Sequence, residues 1–347
     1  MELYVLQARY FTPLAVIDTY KSLIWTKRYY TCGDFELYLP ADARLLSVLQ
    51  VDNCLQRDDD DTIMIIENIE ITTSTDEGDF FIITGRSLES LLARRIIWGQ
   101  TNLSYQNPVD GIFKLVQDNA ISPDNVSRII PGLSLGTAIT VDGPLAAQFT
   151  GTNLLDTVTS ICNRYEIGMK ILLYGVSLVF VCYKGQEVDV TFSPEFDNLI
   201  SSDYTYNSAS YLNCGLTAGE GEGTSRRTAA VWTTADEPEG LQRREMYIDA
   251  RDVSSNGGEI PDATYMANLT QRGKEKLAEQ DVIVGFENEI APNMTYRYKV
   301  DYDLGDIVTL SNSYGVTTNP RITAIIESWN DEGYKVIPTF EKQEVDI

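Results

Sequence analysis

Between Asp79 and Trp98 the chain reads DFFIITGRSLESLLARRIIW and changes its hydrophobic period within a few residues. Phe80–Thr84 is an apolar, aromatic and β-branched run of strand length. Gly85 is expected to break that strand, and Ser87 stands where a helix N-cap belongs. From there Leu88, Leu91, Leu92, Arg95 and Ile96 recur at helical spacing. Glu89 in the first turn and Arg94 and Arg95 in the last complement the helix dipole. A strand feeding a short capped helix predicts the exit from one β-domain into the next part of the chain. Read alone, the stretch carries structure and no chemistry.

The chain has 347 residues, enough for two to three domains with real cores. No apolar run approaches the ~20 residues of a membrane span, so stable membrane insertion is not expected. The N-terminal MELYVLQARYF carries Glu2 and no basic n-region, which predicts a protein made and folded in a cytoplasm. Histidine is absent, which removes Ser-His-Asp and Cys-His nucleophiles, His-ligated zinc and the usual near-neutral general base. The five cysteines (Cys32, Cys54, Cys162, Cys182, Cys214) are never closer than 20 residues and form no CxxC, so buried free thiols are expected. A net charge of −24 repels nucleic acid and argues against binding through phosphate contacts. It suits a surface that must not hold DNA, with cation binding and plain solubility as the other readings.

Residues 1–98 are dominated by strand signals: Leu3–Ala8, Leu14–Asp18, the aromatic segments flanking Gly33-Asp34, and Phe35–Leu39. Leu45–Leu49 fits a brief helix or a strand. Asp58–Asp61 is expected at a solvated hairpin tip, because four consecutive aspartates cannot pack into a core. Ile63–Ile66 follows, then a turn at Asp76-Glu77-Gly78. A small barrel or sandwich is predicted. Residues 99–195 mix types and read as an inserted α+β domain. A helix is expected over Gly111–Asn119, and another begins at an Asn153 cap, carries Leu154, Leu155, Val158, Ile161 and Cys162 inward, and ends at Gly168. Strands at Lys170–Tyr174, Val176–Tyr183 and Glu187–Phe192 are joined by turns at Tyr174-Gly175 and Lys184-Gly185.

From residue 196 the chain is β-rich again, with strands at Leu212–Ala218, Thr228–Thr233 and Arg243–Asp249. A helix near 262–279 turns Tyr265, Met266, Leu269 and Leu277 inward. Further strands are expected at Val282–Phe286, Tyr296–Val300, Asp306–Leu310, Ile322–Trp329 and Tyr334–Phe340. A weak repeat links the two β-rich ends: Ile65-Ile66-Glu67 leads to Asp76-Glu77-Gly78, and Ile325-Ile326-Glu327 leads to Asp331-Glu332-Gly333. Duplication and a chance match of two ordinary hairpins both remain open on these residues.

Tests for chemistry return little. The Gly219–Gly223 segment lacks a GxGxxG, having Thr224 at the last position, and Glu220 and Glu222 oppose phosphate. Asp301, Asp303 and Asp306 fail the EF-hand pattern, with Gly305 at its fifth position, and Asp58–Asp61 has no spacing that wraps an ion. A glycosidase needs only two carboxylates, but no pair is singled out, and the D-[ST]-G triplet of aspartic proteases is missing. No catalytic, metal or cofactor-binding residue is expected.

Several patches carry a family resemblance: Phe81–Ile97, CGDFELYLP (Cys32–Pro40), GEGEG followed by Arg226-Arg227, LTQRGKEKLAE (Leu269–Glu279), and DYDLGDIVTL with RITAIIESWNDEGYKVIPTFE. They span nearly the whole chain and resemble the tail-hub proteins of siphoviruses, long-tailed phages of Gram-positive hosts. The resemblance implies a fold like the baseplate hub of contractile phages: mainly β with α+β insertions, two related small β-barrel tube domains per chain, and a trimeric ring. Carried over by position, 1–98 would be the first barrel and 99–195 the inserted α+β domain. Residues 196–235 with 296–347 would form the second barrel, and 236–295 a second insertion.

The implied role is that of a structural, non-enzymatic hub in the virion, at the tail tip or baseplate. As a homotrimer it would adapt sixfold tail symmetry to a threefold tip. It would join a distal tail protein or tail tube ring, a tape measure protein, and receptor-binding or tail fibre proteins. DNA would pass through the lumen at ejection without specific binding. The chain's end at Ile347, directly after the last strand, is expected to leave no room for a wall hydrolase. Arg86, Arg94 and Arg95 are candidate subunit-interface residues, an intrachain role for the last two being equally open. The competing readings are a carboxylate-dependent cell-wall glycosidase and a carbohydrate-binding tail module.

Overall fold

A computed structural model of the chain describes residues 1–74, 78–196, 198, 201–289, 296–314 and 317–340. The N-terminal region comprises β1 (Leu3–Leu6), β2 (Pro13–Ile17), β3 (Ser22–Arg28), β4 (Asp34–Pro40), α1 (Ala43–Val48), β5 (Cys54–Arg57), β6 (Ile63–Ser74) and β7 (Gly78–Ser87). Alternation dictates its inner face. Phe35, Leu37 and Leu39 of β4 join Leu23 and Trp25 of β3 in one core, while Glu36 points to solvent. Each such side chain contributes roughly 1.5–3 kcal/mol by leaving water. Leu45–Val48 falls in a helix rather than a strand, because the Asp42 side chain accepts from the Arg44 amide at 2.6 Å and caps it.

Gly85 does not break its strand. It pairs with Phe35 on one side and Ile66 on the other, opposite a bulge in β6 between Ile66 and Asn68. A Cβ there would lie 1.8 Å from the Ile65 carbonyl oxygen, so glycine permits close strand approach rather than a stop. Ser87 does not cap a helix either, since its Oγ accepts from the Gly33 amide at 2.7 Å. The following Leu88–Arg94 is a 3₁₀ segment rather than an α-helix, with Leu88 and Leu92 buried.

The insertion contains β8 (Thr101–Tyr105), α2 (Pro108–Val116), β9 (Leu133–Leu135), β10 (Leu145–Phe149), α3 (Leu154–Arg164), β11 (Gly168–Tyr174) and β12 (Ser177–Tyr183). Asn107 caps α2 with Pro108 in its first turn, so this helix starts before Gly111. Asn153 accepts from the Leu155 and Asp156 amides, as its position predicts. Gly168 opens β11 rather than ending α3. The left-handed residue after α3 is Glu166 (φ 54°), and the Ile167 amide returns to the Cys162 carbonyl.

Gly185 does not turn a hairpin. The next strand, β13 (Glu187–Phe192), pairs in parallel with a strand near the C-terminus instead of with β12. Gly185 itself lies against the Gly305 backbone, where a Cβ would be 1.9 Å from the carbonyl oxygen. After β14 (Ser201–Asn207) come β15 (Cys214–Ala218), β16 (Thr228–Trp232), β17 (Glu245–Asp249) and α4 (Asp262–Ala278). The sheet order is β16-β15-β17, covered by α4 through Tyr265, Leu269 and Leu277, with Met266 half-buried. Residues 214–232 thus share a unit with α4. The Gly219–Gly223 segment is a tight connection on α4, where the Glu220 amide donates to the Tyr265 hydroxyl at 2.8 Å.

The C-terminal strands are β18 (Ile283–Glu289), β19 (Ile307–Ser311), β20 (Thr317–Thr318), β21 (Ile322–Asn330) and β22 (Gly333–Phe340). β13 joins β19, although it comes from within residues 99–195. Tyr296–Val300 is not a strand. Asp301 accepts from the Arg297 amide at 2.6 Å and Lys299 takes φ 65°, so the segment closes as a turn.

One sheet runs β14-β18-β22-β21-β3-β4-β7-β6-β5-β1-β2 and fuses the two β-rich ends along β3 and β21. Among the described residues its ladder remains open, and no closed barrel forms. Both triplets of the weak repeat lie in it, on β6 and β21, each strand paired antiparallel with its successor. The turn at Asp76-Glu77 lies outside the described residues; its counterpart ends at Gly333 (φ 114°).

Candidate functional site

Where β3, β5 and β21 meet, charged residues occupy positions that the strand period assigns to the interior. Leu55 and Arg57 share a face of β5, as do Ile325 and Glu327 on β21; all four are buried. The Arg57 guanidinium donates to both Glu327 oxygens, at 2.9 and 3.1 Å, and to both Asp59 oxygens at 2.8 Å. It lies 4.3 Å from the Trp329 ring centre and 5.7 Å from that of Trp25. The Tyr334 hydroxyl donates to the Glu327 Oε1 at 2.8 Å, closing the cage. Burial pulls the Arg57 pKa down, but its hydrogen bonds to Asp59 and Glu327 outweigh that and raise it, so the cation stays fixed.

Asp58, Asp59 and Asp61 are exposed at the turn between β5 and β6, as expected, but Asp60, the neighbouring anion, points inward. Its side chain is fully buried, with Lys27 Nζ at 2.6 Å, Lys299 Nζ at 2.7 Å and the Thr62 amide at 2.8 Å. Burial pushes its carboxyl up, yet the two lysines and the amide together hold it well below the usual carboxylate range. Asp60 alone of the four aspartates can enter the interior because its oxygens meet donors, and Lys299 arrives from 239 positions away. Arg57 to Glu327 and Asp60 to Lys299 both cross between the N-terminal and C-terminal β-regions. A cleft of about 370 Å³ opens beside them, walled by Lys27, Asp60, Lys170, Tyr183, Tyr298 and Lys299.

Three further ties bind the insertion. Arg321 is buried and donates to the Gly305 carbonyl at 2.7 Å and to Glu166 at 2.6 Å, over the Tyr29 ring. Tyr29 from the first region accepts the Gly185 amide at 3.1 Å. Glu89 accepts the Ile171 amide at 2.6 Å, fastening the 3₁₀ segment to β11; burial pushes its carboxyl up.

The arrangement ties distant strands together beside the cleft. Asp60 and Glu89 both line this cleft; their pKa values move in opposite directions, and each is held by protein donors. Asp301, Asp303 and Asp306 spend their oxygens on the amides of Arg297, Leu304, Gln186 and Asp303. Among the described residues no group of three or more Cys, Asp or Glu could hold a metal, and no helix is long and apolar enough to cross a membrane.

The arginines singled out in the sequence are separate from this junction. Arg86 makes a bidentate pair with Glu67 at 2.7 and 2.8 Å, and Arg94 meets Asp52 at 2.8 Å. Arg95 donates to the Arg128 and Ile129 carbonyls. The junction residues Lys27, Arg57, Lys299 and Glu327 were not singled out. The one local signal was parity, an acid or base two residues from a buried aliphatic on the same strand face.

A family model described as Siphovirus ReqiPepy6 Gp37-like protein matches residues 2–340. No curated protein sequence matches the chain. Among solved structures, a 43 kDa tail protein of prophage MuSo2 from Shewanella oneidensis is 12% identical, with TM-score 0.60 over 99% of this chain and 98% of that one. A tail protein from Neisseria meningitidis MC58 gives 11% identity and 0.58 over 99% and 96%. Prophage tail protein gp18 from Listeria monocytogenes EGD-e gives 11% and 0.56 over 99% and 96%. At these identities the likeness is one of fold.

Proposed function

The chain belongs to the Siphovirus ReqiPepy6 Gp37-like protein family, and from that premise we propose that it is the structural hub of a phage tail tip. In this reading it works in the virion without catalysis. Three copies form a ring in which each chain supplies two barrel-like β-units, the N-terminal and the C-terminal β-regions. Six units meet a sixfold tail tube ring or distal tail protein, while the threefold side receives receptor-binding or fibre proteins. The tape measure protein ends on the ring, and DNA leaves through its centre.

The observation that carries this reading is the junction. A chain standing in for two subunits of a sixfold ring must hold its β-regions in one fixed relation. Here they share a sheet across β3 and β21 and are clamped by Arg57–Glu327 and Asp60–Lys299. The weak repeat on β6 and β21 fits two units of common origin. Charge supports the lumen: three chains of −24 carry about −72, which repels DNA rather than holding it.

Light scattering after gel filtration tests the proposal. The expected mass is about 117 kDa, three times 38.9 kDa. A stable dimer would sink the threefold ring. Imaging of tails with a tagged chain should then place three copies at the tip, and labelling along the tube would overturn the hub assignment.

A further inference from the structure

Where the chain leaves the 3₁₀ segment for the insertion, an apolar patch lies open to solvent. Trp98 is 68% exposed and Val126 73%, with Ile96 and Ile129 exposed beside them. The two segments are locked into one surface. The Arg128 guanidinium sits 5.0 Å from the Trp98 ring centre and donates to the Ile96 carbonyl at 2.5 Å. Arg95 in turn donates from Nε to the Arg128 carbonyl at 2.5 Å. The patch is therefore rigid and rimmed by cations, on a chain whose net charge is −24. Burial, then the charges of Arg128 and Arg94, pull the Arg95 pKa down, a sign that positive charge is concentrated there. Exposed tryptophan with flanking arginine is the composition that carries binding energy at protein interfaces.

The complement lies on the same chain. Ahead of β17, Asp236, Glu237 and Glu239 are exposed around Leu241, whose side chain is fully in solvent. Arg243 pairs with Glu237 at 2.7 Å and Glu245 at 2.6 Å, which gives this turn a defined shape. An acidic turn with an apolar tip thus matches a basic rim with an apolar centre.

We propose that the Trp98–Arg128 patch is the docking face for a second copy of this chain, entered by that copy's 236–241 turn. Leu241 covers Trp98, and Asp236 and Glu239 face Arg95 and Arg128. The contact is head-to-tail between different surfaces, and a rotation of one third of a turn between copies closes it into the threefold ring. It rests on the ring-forming reading above and names the surfaces that build the ring. A second copy is favoured over an unrelated acidic partner because both complementary surfaces belong to one chain.

The test is photo-crosslinking from p-benzoylphenylalanine placed at Trp98 in the full chain, with adducts mapped by mass spectrometry and mass measured in parallel. The expected adduct joins position 98 of one copy to residues 236–241 of another. Arg128→Glu should weaken self-association at least tenfold with the melting temperature preserved, and Glu239→Arg in that background should restore it. A protein of threefold mass whose adducts lie elsewhere overturns this interface and leaves the ring reading standing. A monomer without adducts overturns both. Should Arg128→Glu fail to fold, the crosslink map alone decides.

Discussion

Arg57 and Glu327 are 270 positions apart and meet as a bidentate pair with both side chains 1% exposed, under the face of Trp329. The pair sits at the seam between the two β-rich ends of the chain. What it contributes is position more than net stability, because two buried charges give back in desolvation much of what they gain from each other.

Removing one partner is therefore the costly change. Glu327→Gln leaves the Arg57 cation buried with half its compensation and should lower stability by about 3–5 kcal/mol in guanidinium unfolding. Arg57→Met combined with Glu327→Leu should recover most of that loss. A single substitution that left the midpoint unmoved would show that the seam does not depend on this pair.

Acid should loosen the seam through Asp60. Its folded pKa lies below the unfolded value of about 3.9, so its contribution is complete above that value and is lost as pH falls below it. Glu89 and Glu275 work the other way, since burial raises both and their protonation favours the folded chain as pH falls. Wild type should lose stability mainly below about pH 4, and Asp60→Asn should be weaker at neutral pH with a shallower acid limb. Urea midpoints across that range check it; parallel acid limbs would refute the assignment.

Gly85→Ala is expected to cost about 1–3 kcal/mol or more, because the new methyl meets a β-ladder carbonyl rather than a yielding side chain. Gly99→Ala, where no atom lies within 4 Å, is the control and should be near neutral. Thermal melts of the two variants give the comparison directly.

Thiol chemistry should be silent in the folded protein. All five cysteines are buried free thiols, with burial pushing Cys54 and Cys182 up to about 12 and Cys162 well above its ordinary value. A disulfide reagent should label none at mild alkaline pH and five after denaturation. Rapid labelling of the native chain would contradict the packing of these cores.

Much of the local structure is legible in the sequence alone. Asn153 capped the helix it precedes, the hairpin turned at Gly175, and α4 placed Tyr265, Leu269 and Leu277 inward. Each rests on interactions a few residues long, where period, cap and turn chemistry suffice. The junction was not legible in this way. Asp60 looks like surface until Lys27 and Lys299 are known to reach it, and Gly85 looks like a stop until the Ile65 carbonyl is known to pass beside it.

Sequence by itself determined a histidine-free, strongly acidic, mainly β chain with α+β insertions and the motifs of a tail-protein family. Tertiary structure decided that the two β-rich ends form one open sheet, that β13 returns to pair with β19, and that Asp60 turns inward to meet two lysines. The physical reason is range. Strand and helix signals are written in neighbouring residues, whereas the cost of burying a charge is settled only by the partners that distant segments bring to it.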